Sequence, residues 1–591
     1  LRVAVKSALV ELQKYRDEIA QKGEEIIQYL DENNLKGIVL AGRPYHIDKE
    51  INHGIDKLIN SLGFAVLSED SICHLSSNNL KLRVVDQWTY HSRIYRAADV
   101  VSKNKNLEFI NLNSFGCGLD AIVTDQAQEI LRYNNKLYTT LKIDENSNLG
   151  AIKIRIRSLI ASIYNRNNID YKVYSFEKNS YNVKKMKKTN TILIPDMSPM
   201  HMPLLTEAMK SCGYNVVYLS EMNDKYLENG LKYVNNDACY PSLIVIGQLI
   251  SALKSGKYDL DTTTVLITQT GGGCRATNYI GLIRKALKEA NLESVSILSF
   301  NVSNLEKDQK FNITLSMLHR FVKAVVLSDL LMNLYYSTKP YEYNLGESDT
   351  VYSKHLSICK EIVSNDKISS YKKEIEKIIF DFNSIKCIEK NISKIGVVGE
   401  ILIKYNYYGN NNLVNTIMDE GCEVVVPELM GFVKYCCYNS IVKKELLNDK
   451  KIKAFFAKKA LDIIELYELP IRKQLANTKY RLPSDIYELS KNVEHVISKG
   501  NQTGEGWFLT AEMIEFIKSG VNNIVCVQPF ACLPNHIVGK AAIKKVKEIY
   551  RDANIAAIDY DPGTSHSNQY NRLKLLITVA KENIEDSELT K

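Results

Sequence analysis

The sequence predicts an α/β fold made of repeated lobes with parallel sheets. Short runs rich in Val, Ile and Leu alternate with longer helical patterns along most of the 591 residues. Each run leads into a polar or Gly-containing turn and then a helix, the rhythm of βαβ units. One stretch also recurs further along the chain in a fixed register.

The strand-like runs are Gly37–Ala41, Glu108–Leu112, Thr191–Pro195, Thr264–Thr268, Lys394–Val398, Asn523–Val527 and Ile555–Asp559. Residues 1–165 read as one α/β lobe, a partial unit. Residues 166–190, rich in Asn, Lys, Ser and Tyr, read as a linker. Residues 191–335 read as a first lobe of a complete unit and 394–591 as its second. Between them, 336–393 is charged and helical and reads as connecting helices. A helical insertion is expected within the last lobe at about 440–500.

The repeat sets Ser114-Phe115-Gly116-Cys117 against Pro529-Phe530-Ala531-Cys532, 415 positions on. In the same register Ile122 and Val123 meet Ile537 and Val538, Asp144 meets Asp559, and Arg157 meets Arg572. A shared βαβ rhythm accounts for the apolar matches, but not for Cys, Asp and Arg together.

Lys and Arg number 76 and Asp and Glu 68, a net charge of +8 that is mild for this length and unlike the concentrated basic face of a nucleic-acid binder. Hydrophobic residues at 45% and charged residues at 24% exclude a disordered or fibrous chain. No run approaches ~18 uncharged apolar residues, so no membrane span is expected. The first residues mix charge with apolar groups and show no cleavage pattern. The chain does not begin with Met and reads as a piece of a longer protein. Twelve Cys in a chain of this size, without an export signal, point to a reducing, cytoplasmic setting with thiols free for metal.

Four of those Cys fall in strand-to-helix turns: Cys117, Cys239, Cys274 and Cys532. Thiols at helix N-termini are pushed toward thiolate by the local dipole and free N–H groups, which suits a metal or an iron–sulfur cluster. The glycines of Gly271-Gly272-Gly273-Cys274 would let backbone approach a bulky ligand. The competing reading of each is a buried, inert Cys, and that is the reading of Cys212, Cys359, Cys387, Cys422, Cys436, Cys437 and Cys526. Gly42-Arg43-Pro44-Tyr45-His46 follows the first strand. It reads either as a phosphate or carboxylate contact by Arg43, with His46 beside it, or as a capped turn with Arg43 paired to a carboxylate. Arg275 reads either as a partner for a cluster or bound anion, or as a surface Arg. The loop Asn501–Trp507 enters a helix and could cradle phosphate or shape a pocket. No Walker A, H-E-x-x-H, G-x-S-x-G or G-x-G-x-x-G motif is present.

Ala41 to His46, Ile51 to Ile55, Ser114 to Asp120, Asn236 to Pro241, Thr270 to Arg275 and Pro529 to Lys540 together resemble the large activase-related members of the 2-hydroxyacyl-CoA dehydratase and benzoyl-CoA reductase superfamily. The resemblance runs from about residue 37 to 580. It implies Rossmann-like lobes like those of the dehydratase subunits, plus inserted helices. It implies a [4Fe–4S] cluster on Cys239, Cys274 and Cys532, with Cys117 as the equivalent of Cys532 in the partial unit. It implies that ATP enters only through upstream ATPase domains absent from this sequence, which act as an activase, so that the partner is an activase-type ATPase domain or protein. In the dehydratases the acceptor is a CoA thioester, but the resemblance does not itself supply a substrate. The expected function is an iron–sulfur electron-transfer module. The alternatives are a non-catalytic scaffold that docks an activase, or a CoA- or anion-binding module using Arg43 and Arg275. No nucleic-acid or membrane partner is expected, and self-association is compatible with the reading.

Overall fold

The computed structural model describes residues 1–76, 80–114, 118–143, 149–166, 172–179, 181, 183–270, 272–300, 311, 313–365 and 368–589. The chain divides into two compact units. The first comprises Leu1–Asn179 with the short segments 235–238 and 280–284. The second comprises Ser180–Val234, Cys239–Tyr279 and Lys285–Lys591.

The first unit holds one four-stranded sheet: β1 (Gly37–Ala41), β2 (Ala65–Ser68), β3 (Leu107–Ser114) and β4 (Thr139–Ile143). All pairings are parallel and the order is β2-β1-β3-β4. Both faces are covered. Val39 and Ala41 of β1 join Phe109 of β3 in one core, while Ile38 and Leu40 join Ile110 and Leu112 in the other. Successive side chains of a strand point to opposite faces. A strand buried on both faces must therefore be apolar without a break, and that is why these strands read as continuous runs.

The second unit holds two more such sheets. Strands β5 (Thr191–Pro195), β6 (Asn215–Leu219), β7 (Thr263–Thr268) and β8 (Ser296–Phe300) are ordered β6-β5-β7-β8. Strands β9 (Lys394–Gly399), β10 (Glu423–Val425), β11 (Asn523–Pro529) and β12 (Asn554–Tyr560) are ordered β10-β9-β11-β12. The fold is thus α/β with three parallel four-stranded sheets of one topology, and the expectation of repeated Rossmann-like lobes holds. In each sheet the chain leaves the first strand, adds a strand on one side and crosses to the other. The first and third strands are the topological switch point, where connections diverge and leave a crevice at the carboxyl ends.

The 415-residue repeat has a structural counterpart. Ser114 and Pro529 each end the third strand of a sheet. The register differs by two residues: Ser114 lies opposite Ile143, whereas Pro529 lies opposite Tyr560 rather than Ile558. A two-residue slip preserves which face each side chain occupies, so the core pattern survives it. Asp144 lies outside the described residues.

Between β10 and β11 run the helices Leu429–Leu447, Lys451–Leu475 and Ile486–Asn492, the inserted helices expected at about 440–500. Among the described residues, no helix is long and apolar enough to cross a membrane.

Candidate functional site

The residues of the candidate site lie at or near the carboxyl ends of the switch-point strands. In the second unit, Cys274 follows β7, Glu400 follows β9 and Cys532 follows β11. Cys239 immediately precedes the helix Tyr240–Lys254, with Pro241 in its first turn. Cys274 stands in the same N-cap position before the 3₁₀ turn Arg275–Asn278, and Cys532 before the short helix Leu533–Asn535. Each thiol therefore stands at the start of a helical turn, and backbone N–H groups of Ala276 and Asn535 lower the Cys274 and Cys532 thiols against the effect of burial.

The three thiols share one environment. Burial pushes the Cys274 thiol up to about 12, with Glu505, Cys239 and Glu400 adding to the rise. Cys532 is raised well above the usual thiol value by burial and by Glu505 and Cys274, and Arg275 opposes the rise. The Cys239 thiol lies 2.7 Å from the Tyr279 hydroxyl. Arg275 is buried beside them: burial works against its charged form, but the neighbouring Cys239, Cys532, Tyr279 and Cys274 outweigh that and raise it. Its Nη2 donates to the carbonyl of Ala531 at 2.8 Å. The surface reading of Arg275 is thereby replaced by a buried one.

Ala531 holds that carbonyl in place with φ +56°, a left-handed conformation that costs a residue bearing a Cβ roughly 1–2 kcal/mol. The other copy of the repeat has Gly116 at this position. Ala531→Gly is expected to stabilise the protein by about 0.5–1 kcal/mol, since relief of the strain outweighs the added chain entropy. Denaturant unfolding with an unchanged m-value checks it, and a lower midpoint would refute it.

Two carboxyl groups beside the thiols were not anticipated from the sequence. Glu505 reaches the site because its loop is folded by glycine. Gly506 has φ +51° and ψ −146°, and a Cβ there would meet the Tyr435 hydroxyl at 2.2 Å. The same loop passes Gly273, whose added Cβ would lie 3.2 Å from Thr503. The Asn501–Trp507 loop thus delivers an acidic side chain to the thiols. Glu505 Oε1 accepts from the Ile401 N–H at 3.0 Å, and Glu400 caps its own helix by accepting from the Ile403 N–H at 2.8 Å. Asn535 joins the two. Its amide nitrogen donates to Glu505 Oε2 at 2.9 Å and its amide oxygen accepts from the Glu400 N–H at 3.2 Å. Burial, reinforced by Glu505, raises the Glu400 carboxyl to about 8, and burial also raises Glu505.

This shift has a stability consequence in the metal-free protein. Folded Glu400 holds its proton more tightly than the unfolded chain, so its contribution is fully present below about 4.5 and is lost as pH rises through about 8. Glu400→Gln keeps an acceptor for Ile403 and removes the titration. It is expected to raise the melting temperature more at pH 8 than at pH 5; an equal change at both would refute the assignment.

In the first unit, the turn after β1 is capped. The Arg43 N–H donates to His46 Nδ1 at 2.9 Å, which leaves Nε2 of a neutral ring facing Ser114 Oγ at 3.1 Å. The Arg43 guanidinium pairs with the buried Asp120 at 3.0 Å. That arrangement is the capped turn of the two readings, with the carboxylate partner identified as Asp120. Cys117 lies outside the described residues. Among the described residues, no group of three or more His, Cys, Asp or Glu side chains converges tightly enough to hold a single metal ion.

Residues 1–72 match the family model described as a CoA enzyme activase uncharacterised domain. No curated protein matches the chain. The matched span covers β1, the Arg43–His46 turn and β2, and it supports an activase-related CoA enzyme family.

The thiol site also bears on an iron–sulfur cofactor. A four-iron cluster spreads its thiolates over separate iron atoms, so three thiols need not meet at one ion. Cys239 and Cys532 are buried and Cys274 is half-buried, each at an N-cap, with the buried Arg275 beside them; thiols so placed have the chemistry that an iron–sulfur cluster takes as ligands.

Proposed function

We propose that this chain is the iron–sulfur module of an activase-driven electron-transfer system related to the 2-hydroxyacyl-CoA dehydratases. The observation that supports the reading is that Cys239, Cys274 and Cys532 each stand at an N-cap in the second unit, with the buried Arg275 next to Cys274 and bonded to the carbonyl of Ala531 next to Cys532. These three Cys would hold a [4Fe–4S] cluster, which when bound supplies one-electron chemistry at low potential. Cys117 would serve the partial unit.

The chain's own residues set the conditions for that chemistry. The N-cap amides offer hydrogen bonds that tune the held group, and Arg275 offsets its negative charge. Burial of Cys239 and Cys532 limits the access of water to their thiols. The Glu400–Asn535–Glu505 assembly holds a proton beside the thiols. ATP enters through an activase-type partner, the acceptor is a CoA thioester, and the compartment is the cytoplasm. The match of residues 1–72 to an activase-related domain supports the partner class.

The test is anaerobic iron and sulfide analysis with electron paramagnetic resonance of the reduced protein. About four iron per chain for one occupied site and a signal from a reduced cluster are expected. Colourless protein without iron after anaerobic reconstitution would end the reading.

A further inference from the structure

The inserted helix Lys451–Leu475 carries two apolar faces. One is built from Ala454, Leu461, Ile464, Ile471 and Leu475 and is buried in the second unit. The other consists of Ile452, Phe456, Ile463 and Leu466, which are 52–69% exposed, with Lys459 among them. At 100° per residue this second stripe lies roughly 150° around the helix from the first. Its spacing, 452, 456, 459, 463, 466, steps by four and three alternately. That is the 3.5-residue period of a helix packed along another helix, narrower than the face a solvated helix needs to cover a core.

Charge is grouped along the same helix. Lys451, Lys453, Lys458 and Lys459 come first, Asp462 and Glu465 follow on exposed positions, and Arg472 and Lys473 lie in the last turn. Within one chain Lys459 pairs with Asp462 at 3.1 Å and Arg472 with Glu465 at 3.3 Å. A parallel partner of the same sequence would set lysines against lysines. An antiparallel one sets Lys458 and Lys459 of each copy along Asp462 and Glu465 of the other. It also places Phe456 against the second copy's Leu466 and Ile463 on the stem of the second copy's Lys459. Because the stripe faces away from the core, the two bodies lie on opposite sides of the helix pair and do not compete for space.

We propose that this stripe is the interface of a two-fold symmetric dimer, closed by antiparallel pairing of the helix Lys451–Leu475 with its copy. The interface is isologous, the commonest form of closed assembly. It is independent of the iron–sulfur reading.

The test uses the full chain in light scattering after gel filtration, and sedimentation equilibrium. Wild type is expected at twice the 67.2 kDa chain mass at micromolar concentration. Phe456→Glu with Ile463→Glu is expected to give the single-chain mass with an unchanged melting profile, since both side chains are exposed. Lys459→Asp and Asp462→Lys are each expected to weaken the dimer, and the double swap to restore it. A monomer at every concentration, or a dimer that survives Phe456→Glu with Ile463→Glu, would overturn the proposal. So would a monomer that binds phosphatidylglycerol vesicles through this helix, which would assign the stripe to an anionic lipid surface.

Discussion

Replacing Cys274 by alanine is expected to reduce iron from about four per chain to less than about one after anaerobic reconstitution. Cys274 lies in the electrostatic range of both Cys239 and Cys532. Cys436 and Cys526 also lie within reach of Glu505, but Cys436 is inside a helix and Cys526 inside a strand, and neither stands at an N-cap. Cys239→Ala and Cys532→Ala are expected to behave alike, since a held group with one missing thiolate exposes iron to solvent and to chelators. Cys436→Ala is the control: this residue lies on the helix Leu429–Leu447, away from the N-cap positions, and iron should be unchanged. The reduced-state resonance signal should disappear with the iron. Full iron in all three site variants would remove these residues as ligands and leave the α/β framework without an electron-carrying role.

The largest effect on stability is expected from Gly399→Ala. Gly399 ends β9 at the switch point with φ +143°, and an added Cβ would lie 1.8 Å from the carbonyl oxygen of Val527 on the neighbouring strand. Backbone, not a flexible side chain, stands in the way. The clash can be relieved only by parting β9 from β11, which share a parallel ladder from Asn523 to Val527. The Glu400 N–H also donates to that same carbonyl at 2.9 Å, so relief would displace Glu400. Loss of at least ~3 kcal/mol is expected, from a strained backbone and overpacking together. Urea unfolding of purified protein checks it. A loss below about 1 kcal/mol would mean that the strand ends adjust freely, and the rigid crevice would no longer be a fair description.

The strands at Gly37–Ala41 and Thr191–Pro195 were legible to the residue because burial on both faces leaves an unbroken apolar run bounded by polar turns. Shorter or more polar strands were less visible. β6 begins at an exposed Asn215, and β8 contains two serines, one of which lies fully buried as Ser299. Neither presents the continuous apolar signature, and both pair at the edge of a sheet. The lobe at 191–335 was legible from its rhythm, but its likeness to the other two was not visible as a repeat. Cys274 lies six positions past the end of β7, whereas Cys532 lies three past β11, so no ungapped register links them.

The thiols announced themselves through local pattern: a Cys directly before a helix-forming stretch is readable wherever it occurs. Glu400 and Glu505 had no such pattern, since an acidic residue between glycines, or after a strand, is ordinary in sequence. Their importance comes from being far apart along the chain and joined through Asn535. Likewise Arg43 carried two readings until Asp120, 77 positions away, supplied its partner. Local apolar periodicity depends on neighbours within a few residues, so element type and fold class were written in the chain. Burial, pairing and shifted protonation depend on residues that meet only after the lobes have formed, and no linear pattern encodes that meeting.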